Sequence, residues 1–367
     1  MTAHLRRAAP ALVGYVAVRV VGLLVLGAWA AMAGRDARHL LVWWDGQWYK
    51  GIAQHGYGFV RVHEDGRILS DLTFFPLYPG LERLVAEVTG LRVVDAGLLV
   101  SASASLLAAW GIFAVGAHLY GRRVGVVVTV LWAALPVGIV QSMAYSESLF
   151  TALAAWSLYA VLTGRWVLAG LAAALAGLTR PIGAAAVAAV LVGAAVALLR
   201  ERGRRTRVLL GALLAPVGLL GYVGWVGIRT GSPLGYFEAA GRWGNTFDGG
   251  VAFARWVGGL LNSPAFLAGV LLCAGIGVLG WMVVLCLRQG QPVPLLVFSG
   301  VLLFLAFTTS GYFGSKPRYL MPAFPLLLPA AVSLARLRLR RLVAVLVLLA
   351  AGSAVYGAFW LLGPGPP

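Results

Sequence analysis

Apolar runs of roughly bilayer-crossing length recur from one end of the chain to the other, divided by short breaks rich in arginine, glycine and proline. A membrane-crossing helix needs about 20 mostly apolar residues. The pattern predicts eleven spans, at 11–33, 96–119, 124–141, 147–163, 166–179, 182–199, 208–228, 265–287, 293–310, 319–335 and 342–362. The stretch 166–199 admits two readings, because 166–179 is short and stops at Arg180-Pro181: two crossings, or one broken helix. Two crossings keep the run Arg200 to Arg207 on the side of the other arginine-only loops, which favours them. The first span ends in Ala31-Met32-Ala33, as a cleaved signal peptide would. Its apolar stretch exceeds the usual length of about 7–15 residues and carries Arg19, so an uncleaved anchor is expected. The expected fold class is an all-α polytopic membrane protein, one domain over 1–367, with two long loops at 34–95 and 229–264.

Composition agrees with the pattern. The chain is 60% hydrophobic and 11% charged, with a mean hydropathy of +0.88, whereas soluble domains carry about 25% charged residues. A soluble enzyme, a disordered chain and a nucleic-acid-binding domain are therefore excluded, and no nucleic-acid partner is expected despite a net charge of +17. Arg6, Arg7, Arg122, Arg123, Arg165, the run to Arg207, Arg288 and the run Arg336 to Arg341 all fall on short loops of one side, where Glu201 is the one acid. Those loops hold +14 of the +17. The positive-inside rule places them in the cytoplasm and both long loops on the extracytoplasmic face. Cys273 and Cys286 share one helix about 20 Å apart by helical rise, too far to bridge.

The inner loops are too short to form a nucleotide-binding domain, and no glycine-rich phosphate loop follows a strand, so chemistry is expected on the outer face. There the first loop opens with WWDGQWYKGIAQHGY, Trp43 to Tyr57. On a helix Trp44, Trp48, Ile52 and His55 form one stripe suited to the membrane interface. Asp45 sits about 100° off that stripe, turned toward a cavity. Two readings of Asp45 stand: a reactive carboxylate, or an ordinary helix N-cap. Asp71 then precedes FFPLYP, whose two prolines mark a fixed return toward the bundle. Phe74 reads as an interfacial aromatic as readily as a ligand contact; Phe75 and Tyr78 are ligand candidates. Tyr145, Ser146 and Glu147 open the fourth span, Arg180 closes the fifth, and Lys316, Arg318 and Tyr319 open the tenth. A lone terminal arginine commonly snorkels to lipid phosphate, but these cations lie on the face whose topology does not require them, and together they suit a lipid phosphate. Arg19, inside the first span, needs a partner, expected among the outer-end carboxylates.

A single carboxylate with a few cations, and no nucleotide fold, suits sugar transfer from a lipid-linked donor. One base takes the acceptor proton and fixed cations stabilise the departing phosphate; no paired acids are needed. WWDGQWYKGIAQHGY, FFPLYP, PVGIVQSMAYSESLF, LTRPIG and SKPRYLMPAFPLL, in this order along essentially the whole chain, resemble the GPI mannosyltransferase 2 (PIG-V-like) family in its bacterial form. The resemblance implies a GT-C membrane glycosyltransferase taking mannose from polyprenyl phosphate mannose on the extracytoplasmic face, with Asp45 as catalytic base. It implies substrate binding by Trp44, Gln47, Trp48, Tyr49, His55, Asp71, Phe75, Tyr78, Tyr145, Ser146 and Glu147, and donor phosphate binding by Arg180, Lys316, Arg318 and Tyr319. The acceptor is a glycolipid or cell-wall glycan, since the family's eukaryotic acceptor does not carry over. No cofactor is implied, and metal dependence is left open by the lack of an Asp-x-Asp. The rival classes are a non-catalytic transporter or scramblase of lipid-linked sugars, and a same-fold transferase using another lipid-linked sugar or a protein acceptor. A transporter would spread polar residues through the membrane's depth, whereas here the charges, apart from Arg19, gather at one face.

Overall fold

The computed structural model describes residues 2–62, 66–200, 205–363 and 365; Glu201, Arg202 and Arg204 of the inner basic run lie outside the described residues. The chain is an all-α polytopic membrane protein. Helix α1 (Thr2–Met32) leads into a loop holding α2 (Ala37–Val42), α3 (Asp45–His55) and α4 (Leu77–Thr89). The bundle continues with α5 (Val93–Tyr120), α6 (Arg122–Ala133), α7 (Glu147–Leu162), α8 (Trp166–Gly177), α9 (Ala184–Arg200), α10 (Arg205–Leu214) and α11 (Val217–Thr230). The second long loop carries α12 (Gly235–Arg242) and α13 (Val251–Leu261), and the chain ends with α14 (Phe266–Arg288), α15 (Val293–Thr308), α16 (Lys316–Leu320), α17 (Leu328–Leu334) and α18 (Leu339–Leu362). A small antiparallel hairpin, β1 (Val60–Val62) with β2 (Ile68–Ser70), pairs Val60 with Ser70 and Val62 with Ile68.

Among the described residues six helices are long and apolar enough to cross a membrane: Leu5–Met32, Val93–Tyr120, Pro181–Leu199, Arg205–Thr230, Phe266–Arg288 and Leu339–Leu362. Shorter apolar helices, α7, α8 and α15 among them, fill the bundle between these. Proline explains where the expected spans are interrupted. Span 124–141 stops as a helix at Ala133, because Pro136 lacks the N–H that the next turn needs, and resumes as a 3-10 turn, Gly138–Ser142. Span 319–335 is divided by Pro322, Pro325 and Pro329 into α16, a 3-10 turn at Phe324–Leu327, and α17. The stretch 166–199 forms two helices, not one. A Cβ on Gly183 would lie 2.7 Å from the Gly177 Cα, and one on Gly193 would lie 3.7 Å from the Trp166 ring, so α9 runs back antiparallel along α8. The faces they bury are small, with Ala169, Ala173, Ala185 and Ala189 fully covered, the composition that lets membrane helices approach closely.

Two expectations are corrected here. The Arg19 guanidinium donates to the backbone carbonyls of Ala133 and Gly138, not to a carboxylate. Its partners are the acceptors that the α6 break frees, and hydrocarbon offers them no water. The apolar stripe of α3 is covered largely by protein, with Trp44 at its start left exposed. Trp48 and Ile52 are buried against protein, and Trp48 stacks on Phe74 at 5.6 Å between ring centres and meets Trp243 edge-on at 5.0 Å. Trp243 comes from the second long loop, which the linear pattern leaves unconnected to the first. The two prolines of FFPLYP fit one helix start, Pro76 just ahead of α4 and Pro79 in its first turn, where no N–H is required.

Candidate functional site

Trp43 and Trp44 join α2 to α3. Trp44 has φ 55° and ψ −116°, and among the described residues it is the one non-glycine residue with positive φ. A bulky residue held there costs about 1–3 kcal/mol and persists only where its surroundings fix it. The fixing group is Tyr145: its hydroxyl donates to the Trp43 carbonyl at 3.2 Å and accepts from the Asp45 N–H at 3.3 Å. Burial first, and the Asp45 carboxylate second, push the Tyr145 pKa well above its ordinary value, so the group stays a hydroxyl able to do both. Gln47 adds a bond from Nε2 to the Val42 carbonyl, 2.8 Å.

The carboxylate so placed does not cap its helix. Asp45 Oδ2 lies 2.8 Å from Arg318 Nη1; Arg318 Nε lies 3.0 Å from Glu147 Oε1; and Arg180 Nη1 lies 2.6 Å from that same oxygen. Four side chains from α3, α16, the start of α7 and the α8–α9 turn thus form one alternating row of charge. Three of them are buried, and Asp45, with 22% of its side chain exposed, is the open end. Charges taken out of water need such pairing. Burial opposes the cationic form of Arg318, and the Asp45 and Glu147 carboxylates more than offset it, leaving its pKa well above the ordinary value. Arg180 balances in the same direction, burial against Glu147. Ser146 accepts from Arg180 at 3.1 Å and shares a 2.7 Å hydrogen bond with the Tyr49 hydroxyl. Tyr319 lies against both guanidinium groups, 5.5 Å from Arg180 and 5.7 Å from Arg318. Glu147 Oε2 is buried with no hydrogen-bond partner among the described residues.

The structure therefore brings together Asp45, Tyr49, Tyr145, Ser146, Glu147, Arg180, Arg318 and Tyr319, from motifs up to about 270 positions apart in the sequence. Trp44 lines a cavity of about 440 Å³ next to them, with Arg35, Trp43 and Leu361. The other candidates are not part of the charge row, although Tyr78 meets Tyr49 edge-on at 4.8 Å. Asp71 Oδ2 accepts the N–H groups of Gly58 and Phe59, tying down the hairpin. Phe75 packs on Tyr222 at 4.4 Å, and Tyr78 donates its hydroxyl to the Gly97 carbonyl at 2.9 Å. His55 is exposed at the end of α3. Lys316 turns its ammonium to Thr309, 3.1 Å from Oγ1, and burial pushes its pKa down to about 8, with Asp248 pulling the other way. Tyr236 of α12 is a residue the linear reading missed: it is buried, which raises its pKa, while the Arg180 charge acts to lower it. Its segment offered only an aromatic after a glycine, a pattern with no distinguishing signal. Among the described residues, no group of three or more His, Cys, Asp or Glu side chains stands close enough to hold a metal ion.

Searches with the sequence matched no family model and no curated protein. In fold the chain is similar to ArnT from Cupriavidus metallidurans. In the apo state the TM-score is 0.57 at 20% identity, covering 90% of this chain and 60% of that one. In the form bound to undecaprenyl phosphate it is 0.53 at 17% identity, covering 82% and 56%. It is also similar to the Archaeoglobus fulgidus oligosaccharyltransferase AglB in complex with an inhibitory peptide and a dolichol-phosphate, with a TM-score of 0.51 at 13% identity, covering 96% and 56%. The chain shares the GT-C fold of these proteins and spans a little over half of their length.

Proposed function

We propose that this chain is an inverting glycosyltransferase that moves mannose from polyprenyl phosphate mannose to a glycolipid or cell-wall glycan on the extracytoplasmic face. The observation that carries the reading is the charge row ending at Asp45. It offers one accessible carboxylate held in a fixed position, backed by two buried guanidinium groups. Four of the five motifs that resemble the PIG-V-like family contribute to that row, and structures of the same fold are described with undecaprenyl phosphate and dolichol-phosphate. The outer-face assignment rests on the arginine-only loops at the opposite end of the bundle.

In the proposed step the acceptor hydroxyl oxygen attacks the anomeric carbon and Asp45 takes its proton. The bond from that carbon to the donor phosphate oxygen breaks, and the electron pair leaves on the lipid phosphate. Arg318, and Arg180 behind it, stabilise the charge that gathers there, a contribution worth several kcal/mol when donors are fixed before reaction. The strain at Trp44 and the Tyr145 clamp hold the base, so little reorganisation is needed as the proton moves.

The test compares polyprenyl phosphate mannose with nucleotide-linked mannose as donor, in membranes containing the wild-type protein or Asp45→Asn. Transfer is expected from the lipid-linked donor alone. The variant is expected to be inserted at normal levels and to lose transfer by about a thousandfold or more, since the amide keeps the shape and loses the basicity. Transfer from the nucleotide-linked donor, or near-normal transfer by Asp45→Asn, would remove this reading.

A further inference from the structure

At the end of the bundle opposite Asp45, a second cavity of about 810 Å³ opens between α1, α5, α6 and α7. Glu147 begins α7 and Arg165 follows its far end, so some 24 Å of helix, about 1.5 Å per residue, separates the cavity from the charge row. Arg7, Arg122 and Arg165 stand around it, from three segments far apart in the sequence. All three are exposed, and none has a carboxylate partner among the described residues. The walls are aromatic. Trp110 meets Trp156 edge-on at 5.1 Å, and Trp156 meets Tyr159 at 5.7 Å. The Trp156 indole is committed to the Leu107 carbonyl at 3.0 Å, which fixes its ring.

Topology alone asks for positive charge on these loops. It does not ask three arginines to converge on one aromatic-walled cleft. Converging guanidinium groups without acids match a phosphate in charge and geometry. A free phosphate ion would leave most of the volume, and all of the aromatic wall, unused. We propose that this cavity holds the phosphate of an acidic membrane lipid, with the start of its chains against the Trp110 and Trp156 rings. Basic pockets between membrane helices on the cytoplasmic side take anionic headgroups in this way. The site is separate from the charge row and does not depend on the proposed transfer reaction.

The experiment uses the full chain, purified in detergent and stripped of lipid, with binding read by native mass spectrometry. The probes are dioleoyl phosphatidic acid, dioleoyl phosphatidylcholine and inorganic phosphate. Phosphatidic acid is expected to bind in preference to the other two. Arg122→Gln/Arg165→Gln is expected to weaken that binding by a factor on the order of ten or more. Arg338→Gln/Arg340→Gln, which removes the same charge from the same end outside the cavity, is expected to leave it unchanged. Since loop arginines also orient the chain, Arg122→Lys/Arg165→Lys is measured beside them; it keeps the charge, loses the forked geometry, and is expected to bind more weakly than wild type. Equal weakening by both glutamine pairs, no weakening by either, or unchanged binding in the lysine pair overturns the site. Inorganic phosphate binding as well as the lipid, with the same arginine dependence, overturns the lipid assignment in favour of a free anion.

Discussion

Tyr145 shows how one hydroxyl sets the chemistry of its neighbour. By bonding on both sides of Trp44 it holds a peptide in a conformation that the tryptophan would not choose, and so fixes where Asp45 points. Tyr145→Phe keeps the packing and removes both bonds. It is expected to lower kcat about tenfold with little change in KM for the acceptor; an unchanged kcat would show that the carboxylate is held without the clamp. Lys316 gives a pH dependence whose sign follows from burial. With its pKa pushed down to about 8, the ammonium is charged below that pH and neutral above it. If it helps hold the donor phosphate, KM for the donor rises as pH passes through about 8. Lys316→Gln is then expected to show a raised KM without that rise, and the same rise in the variant would remove Lys316 from donor binding. Asp45 was legible in the sequence as an off-stripe carboxylate of the first outer loop, and Glu147, Arg180 and Arg318 as polar exceptions at span ends. Their pairing was not, because no local pattern says which guanidinium meets which carboxylate across separations well beyond a few helical turns.

At the scale of the element, hydropathy located nearly every apolar segment, and proline decided how each one is built. The α6 break at Pro136 leaves carbonyls in hydrocarbon, and Arg19, one helix away, answers them. Arg19→Met removes the charge and both of these hydrogen bonds. Thermal unfolding in detergent is expected to show a loss of about 2 kcal/mol or more. An unchanged midpoint would mean that the freed carbonyls find other partners. Helix α3 carries a similar lesson. Its stripe was legible as amphipathic, but amphipathicity states only that one face avoids water. Whether lipid or protein covers that face depends on Phe74 and Trp243 arriving from other segments, and here protein does.

Over the whole molecule the charges fall into two groups with different tasks. On the proposed topology the arginine-only loops orient the chain, and the row ending at Asp45 occupies the other end. Cysteine labelling checks this arrangement: with Cys273 and Cys286 replaced by serine, an impermeant thiol reagent added to intact cells is expected to label Gln54→Cys and not Arg338→Cys. The reverse result would put Asp45 in the cytoplasm and end the outer-face reading. By itself the sequence determined the class of the protein, the approximate position of most spans and the side on which the arginines gather. These follow from the cost of placing polar groups in hydrocarbon, which is paid residue by residue and so is written locally. The tertiary structure alone decided that Asp45, Arg318, Glu147 and Arg180 form one row, that Arg19 serves a broken helix, and that three loop arginines surround one cavity. Those facts depend on distances between segments remote in the chain, fixed by how the helices pack.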